Sequence, residues 1–98
     1  MRLPKPIFIR RVVGRSMSPK LQADKLLLAT QLFKVLHPGD VVIVEHDGKQ
    51  KVKRIERIED NKLFVVGDNL QFSTDSRHFG WLELHQVIAK VIWPNLKK

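Results

Sequence analysis

Two residues in this sequence have settings suited to chemistry: Ser16 in "VVGRSMSP" and Lys53 in "VKRI". Ser16 follows an apolar run and a glycine, so its hydroxyl sits on a turn where a substrate can come close and Gly14 leaves backbone room. Read alone, the segment is an ordinary turn whose serine bonds to its own backbone. Lys53, on a strand, shares a face with Ile55 while Arg54 points the other way. An inward amine loses proton affinity because desolvation penalises its charged form, and a neutral ε-amine is a general base at ordinary pH. Taken by itself, Lys53 reads as one more surface cation.

A third segment, "GDNLQFSTDSRHFG", is fourteen residues long (67 to 80) and has neither a strand's alternation nor a helix's stripe. It gathers two Asp, two Ser, an Asn and an Arg. Loops of this length in a compact domain are usually functional or disordered.

Other chemistries fit poorly. With no cysteine, the chain has no disulfide, thiolate zinc site or cysteine nucleophile. His37, His46, His78 and His85 show no HExxH and no paired spacing, and read as surface or loop residues. A calcium loop starting at Asp68 would place Leu70 and Phe72 where oxygen ligands are needed. Neither glycine-rich phosphate motif occurs, and Ser16 is followed three residues on by Pro19, not by the lysine of a Ser-x-x-Lys motif. No metal and no cofactor is expected.

The elements that must position these residues read as a small all-β domain. "IFIRRVV" (7–13) is a strand closed by Gly14, and Pro19 can start a single helical turn. "KLLLATQLF" is ambiguous between strand and helix. "HPGD" is a turn into the strand "VVIVEH", and Asp47-Gly48 is a hairpin signal. In the return segment "KQKVKRIERI", Val52, Ile55 and Ile58 recur every three residues, as in a helix, yet a two-residue hairpin turn needs a second strand. "NKLFVV" and "HQVIAKVIWP" complete five or six strands in a coiled or barrel-like, mostly antiparallel sheet.

The length of 98 residues fits one domain, 1–98, that folds without staples. The longest apolar runs fall far short of the roughly 20 residues that span a bilayer. The N-terminal apolar stretch is broken by Arg10 and Arg11, so it is not a secretory signal peptide. A soluble, cytoplasmic protein without a transmembrane anchor is expected. The net charge of +8 points to acidic partners, but the cations are dispersed, without interleaved aromatics or an RNA-binding motif. The charge reads as mostly solvated surface, suited to an acidic substrate, and no nucleic acid is expected.

Taken together, "GRSMSPKL", "VKRI" and "GDNLQFSTDSRHFG" resemble, in order, the three blocks of the signal peptidase I (S26) family of Ser/Lys proteases. "VIAKVIWP" looks like the family's last strand, and the resemblance runs from about Val12 to Pro94. It implies a fold of the signal peptidase/LexA type, with Ser16 as nucleophile and Lys53 as general base. By the same resemblance Ser73 holds the lysine amine, and Asp75 and Arg77 form an ion pair behind the site. Asp68 and Asn69 occupy the turn leading into it, and Met17 packs beside the catalytic pair.

The chain also departs from the family. Only thirteen residues, Arg54 to Val66, separate the lysine from the last block, "ERIED" replaces the usual glycine-rich continuation, and Gly14 stands where some members carry an oxyanion-hole serine. A small soluble member resembles the nickel-type superoxide dismutase maturation proteases, which implies removal of an N-terminal extension from a precursor, with the nickel superoxide dismutase precursor as partner. The oligomeric state cannot be read. Two other readings compete: a self-cleaving regulatory domain of the repressor type, and a non-catalytic basic β module that binds nucleic acid.

Overall fold

The computed structural model describes residues 7–33 and 35–96; residues 1–6, part of the segment judged not to be a signal peptide, lie outside them. Seven strands form one antiparallel sheet: β1 (Ile7–Arg11), β2 (Leu26–Thr30), β3 (Val41–His46), β4 (Lys49–Glu59), β5 (Lys62–Val66), β6 (Leu82–Glu83) and β7 (Val87–Trp93). Their order across the sheet is β1-β2-β7-β3-β4-β5-β6. The all-β expectation holds, and the ambiguous "KLLLATQLF" contributes β2. β6 was not foreseen, because two residues carry no alternation. Among the described residues no helix is long and apolar enough to cross a membrane.

β3 lies at the centre because its "VVIV" run can be buried on both faces. Val41 and Ile43 join a cluster with Met17, Leu21, Leu27, Ala29, Ala89 and Val91. Val42 and Val44 join a second cluster with Ile55, Leu63, Val65 and Leu82. Each fully buried aliphatic side chain contributes about 1.5–3 kcal/mol relative to exposure.

β3 returns into β4 through Asp47 and Gly48, both at positive φ (56° and 74°), the backbone a two-residue hairpin turn requires. The three-residue spacing in β4 resolves as a strand with a bulge. Ile55 pairs with Val65 and Arg57 with Phe64, so Glu56 is the extra residue. The bulge brings Ile58 back to the cluster that holds Ile55, while Val52, before it, packs against the other cluster.

The segment 67–80 is more ordered than its lack of pattern suggests. It contains a 3₁₀ turn at Leu70–Phe72 and one α-helical turn, α1 (Ser76–Phe79), both too short to leave a sequence period. Asp75 caps α1 through its side chain, and its backbone N–H donates to His78 Nδ1. Ser76 Oγ accepts from the Val65 N–H at 2.9 Å, tying α1 to β5.

Candidate active site

The hairpin pairing sets Lys53 opposite Val42 and Arg54 opposite Val41. Cross-strand partners share a face, so Lys53 lies on the side of Val42 and Ile55, and only 4 % of its surface is exposed. Its Nζ donates to Ser73 Oγ at 3.1 Å. Burial lowers the affinity of this amine for a proton; Asp75 opposes that effect, and the nearby charges of Lys51 and Arg77 reinforce it. The net direction is down from the ordinary lysine value.

Behind Ser73 lies Asp75, a fully buried carboxylate that receives five donors. Oδ2 accepts from Ser73 Oγ, the Gly67 N–H and Arg77 Nη2; Oδ1 accepts from the Arg77 backbone N–H and Nε. Burial alone would raise the Asp75 pKa, but these hydrogen bonds outweigh it and hold the carboxyl well below the usual range. Arg77 is stabilised as a cation in return. A carboxylate only accepts, so the single Ser73 proton is committed to Asp75. Ser73 can then only accept from Lys53, which leaves the lone pair of a neutral amine free of this partner.

Ser16 sits in hydrogen-bonded turns, with Ser18 N donating to Arg15 O and Leu21 N to Met17 O, both at 3.0 Å. The segment forms hydrogen-bonded turns and no helical element, so the helical turn expected from Pro19 is not found. Met17 anchors the segment in the core with Val12 and Leu21. Gly14 takes φ 84°, a conformation that favours glycine. Ser16 and Lys53 line one cleft of about 330 Å³, together with Phe72 and Thr74. No hydrogen bond joins Ser16 Oγ to Lys53 Nζ; the bond made by the amine is to Ser73.

Two features missed in the sequence hold the loop 67–80 against the turn that carries Ser16. Arg54 is buried, not solvated, and grips Asp68 with Nε and Nη2 at 2.8 Å each, while Nη1 donates to Gly39 O. Asn69, next along the chain, donates its backbone N–H to Ser16 O at 2.7 Å, and its side chain caps the 3₁₀ turn at Gln71 N. The residue after Lys53 is therefore tied to the residue before the one that holds Ser16.

The second feature is Gly67. A Cβ there would lie 2.2 Å from Ser73 Oγ and 2.7 Å from Ser16 O. Gly67→Ala is expected to push both serines out of place and to lower stability by about 1–3 kcal/mol. Thermal unfolding of the variant checks this. Its only trace in the sequence was its position at the head of "GDN".

Comparison with known proteins places the chain in a family. A model of Peptidase S24-like proteins matches residues 1–92. The chain belongs to this family. A stretch of 59 residues is also 39 % identical to signal peptidase I of Bacillus caldolyticus, covering 57 % of this chain and 29 % of that relative. The resemblance seen in the three motifs thus meets a relative of that name, while the family model that fits is the S24-like one.

Proposed function

We propose that residues 1–98 form a single catalytic domain of a serine endopeptidase in which Ser16 is the nucleophile and Lys53 its general base. The observation that carries this reading is the buried Lys53 amine, held by a serine whose own proton is committed elsewhere, on the cleft that Ser16 also lines. Ser16 Oγ attacks the peptide carbonyl as its proton passes to neutral Nζ, and the carbonyl π electrons move onto oxygen. Collapse of this intermediate breaks the C–N bond, and the departing amine takes the proton from Lys53. Water then attacks the acyl-enzyme, gives its proton to Lys53, and Ser16 leaves with that proton restored.

Among the described residues the Ser16 N–H has no hydrogen-bond partner inside the chain, and it is the oxyanion donor in this reading, worth roughly 3 kcal/mol of barrier. Proton transfer requires Ser16 Oγ and Lys53 Nζ to come within hydrogen-bond reach as substrate fills the cleft, since such contacts often tighten only in the substrate complex.

The substrate we assign is a precursor with an N-terminal extension, and the nickel superoxide dismutase precursor is the first to try. Incubation of precursor with the chain should yield one new N-terminus, read by mass spectrometry. The rate should rise with pH as Lys53 deprotonates and level off above its lowered pKa. A rate that falls from neutral to mildly alkaline pH contradicts the amine as base. Shortening of the chain itself with no cleavage in trans would replace turnover by the self-cleaving alternative.

A further inference from the structure

The walls of the cleft carry a charge pattern that the dyad does not use. Besides Lys53, its lining includes Arg10, Arg11, Arg15 and Lys51, and none of the ten Asp and Glu residues of the chain. Among the ion pairs of the described residues none involves these four cations. Arg11 donates to the carbonyl of Asp24 at 2.9 Å and Arg10 to that of Ile9 at 3.2 Å. The Arg15 guanidinium lies 5.2 Å over the Phe72 ring. Lys51 Nζ stands 3.2 Å from His46 Nδ1 and 5.0 Å over the Phe79 ring. The heads are thus held by carbonyls and rings, without a carboxylate partner among the described residues.

We infer that this rim selects peptides with Asp or Glu within a few residues of the scissile bond, a specificity that rests on the peptidase reading. An extended segment laid in the cleft meets the cations of its lining, Arg10 and Arg11 from β1, Arg15 next to Ser16 in the chain and Lys51 two residues before Lys53. A carboxylate on it meets unpaired cations, whereas a lysine meets only like charge. Same-sign charges lining a concave site focus the field there and speed capture of oppositely charged ligands by about 10-fold or more at low salt. Of these four cations Lys51 also lowers the proton affinity of Lys53.

Calorimetric binding to the Ser16→Ala chain tests the rim without requiring turnover, using peptides of equal length whose central residues are flanked by Glu, Ser or Lys. The Glu peptide should bind at least about 10-fold tighter than the Lys peptide, and the gap should shrink between about 50 mM and about 500 mM salt. Adding Arg15→Glu and Lys51→Glu should abolish or reverse the order. Adding Lys25→Glu and Lys62→Glu, an equal charge change outside the cleft, should preserve it. Equal affinities, or an order that survives the rim reversal, would overturn the inference. Hydrolysis of the same peptides by the parent chain reports separately on the peptidase reading: charge-ordered binding without cleavage sinks that reading and leaves the rim standing.

Discussion

Lys53→Met is expected to abolish peptide hydrolysis and yet to yield a protein at least as stable as its parent at neutral pH. Methionine fills similar space without a charge, so the packing around Val42 and Ile55 survives while the base is gone. Loss of one member of a cooperating nucleophile and base should lower kcat on the order of 10⁴-fold or more, and Ser16→Ala should do the same. The double variant should be no worse than either single one, as the proposed mechanism has the two groups act in one proton transfer.

The stability half follows from linkage. The Lys53 pKa is lower in the folded chain than its ordinary value of 10.5 in the unfolded one. Between those two values the unfolded chain binds more protons, so the contribution of Lys53 to stability rises with pH and is least favourable below the window. Lys53→Met escapes that penalty. Its advantage in denaturant unfolding should be largest near neutrality and should shrink as pH approaches 10.5. Retained hydrolysis would refute the role given to the amine, and a variant clearly less stable than its parent at pH 7 would refute its desolvation.

Asp75→Asn is expected to be the most damaging conservative change in stability. The two carboxylate oxygens take five donors, and an asparagine offers one accepting oxygen and turns an NH₂ toward groups that themselves donate. Arg77 would lose its counter-ion and the buried Gly67 N–H a partner. Breaking a buried ion pair from one side costs about 3–5 kcal/mol. In a domain of this size that lowers Tm on the order of 20 °C.

Arg77→Ala should be milder. The Arg77 side chain is 31 % exposed, and Asp75 would keep Ser73 and the backbone N–H groups. The sign with pH is the same as for Lys53, because both groups have lowered pKa values in the fold and both contributions rise with pH. The Asp75 pKa is held below its ordinary 3.8 in the fold, so its contribution is complete above 3.8 and is lost as pH falls through the lower folded value. The gap between parent and Asp75→Asn, followed by thermal unfolding, should therefore be constant near neutrality and narrow in acid. A gap below 1 kcal/mol, roughly, would contradict the buried network.

How far the sequence discloses this arrangement depends on the range of each interaction. The strands and the Asp47-Gly48 hairpin are legible because alternation and turn chemistry are local. The period of three in β4 misleads, since a bulge is set by pairing with β5, which the segment itself does not display. Asp75 and Arg77 stand two residues apart and could be paired on paper, through the motif they belong to. Arg54 and Asp68 lie fourteen residues apart (68 − 54), and nothing in "VKRI" marks one cation as buried beside another. That Ser73 accepts from Lys53 and donates to Asp75 depends on side-chain directions no spacing encodes. Gly67 only heads the segment in the sequence, and the approach of Ser73 and Ser16 to its Cα explains the missing side chain.

The claim at the centre is that the Lys53 amine activates the hydroxyl of Ser16. Treating the chain with a small activated ester and locating the acyl group by mass spectrometry measures that activation without any natural substrate. The account predicts an adduct on Ser16 that forms faster as pH rises and fails to form in Lys53→Met. An unmodified Ser16, or one acylated equally fast without the amine, would contradict it.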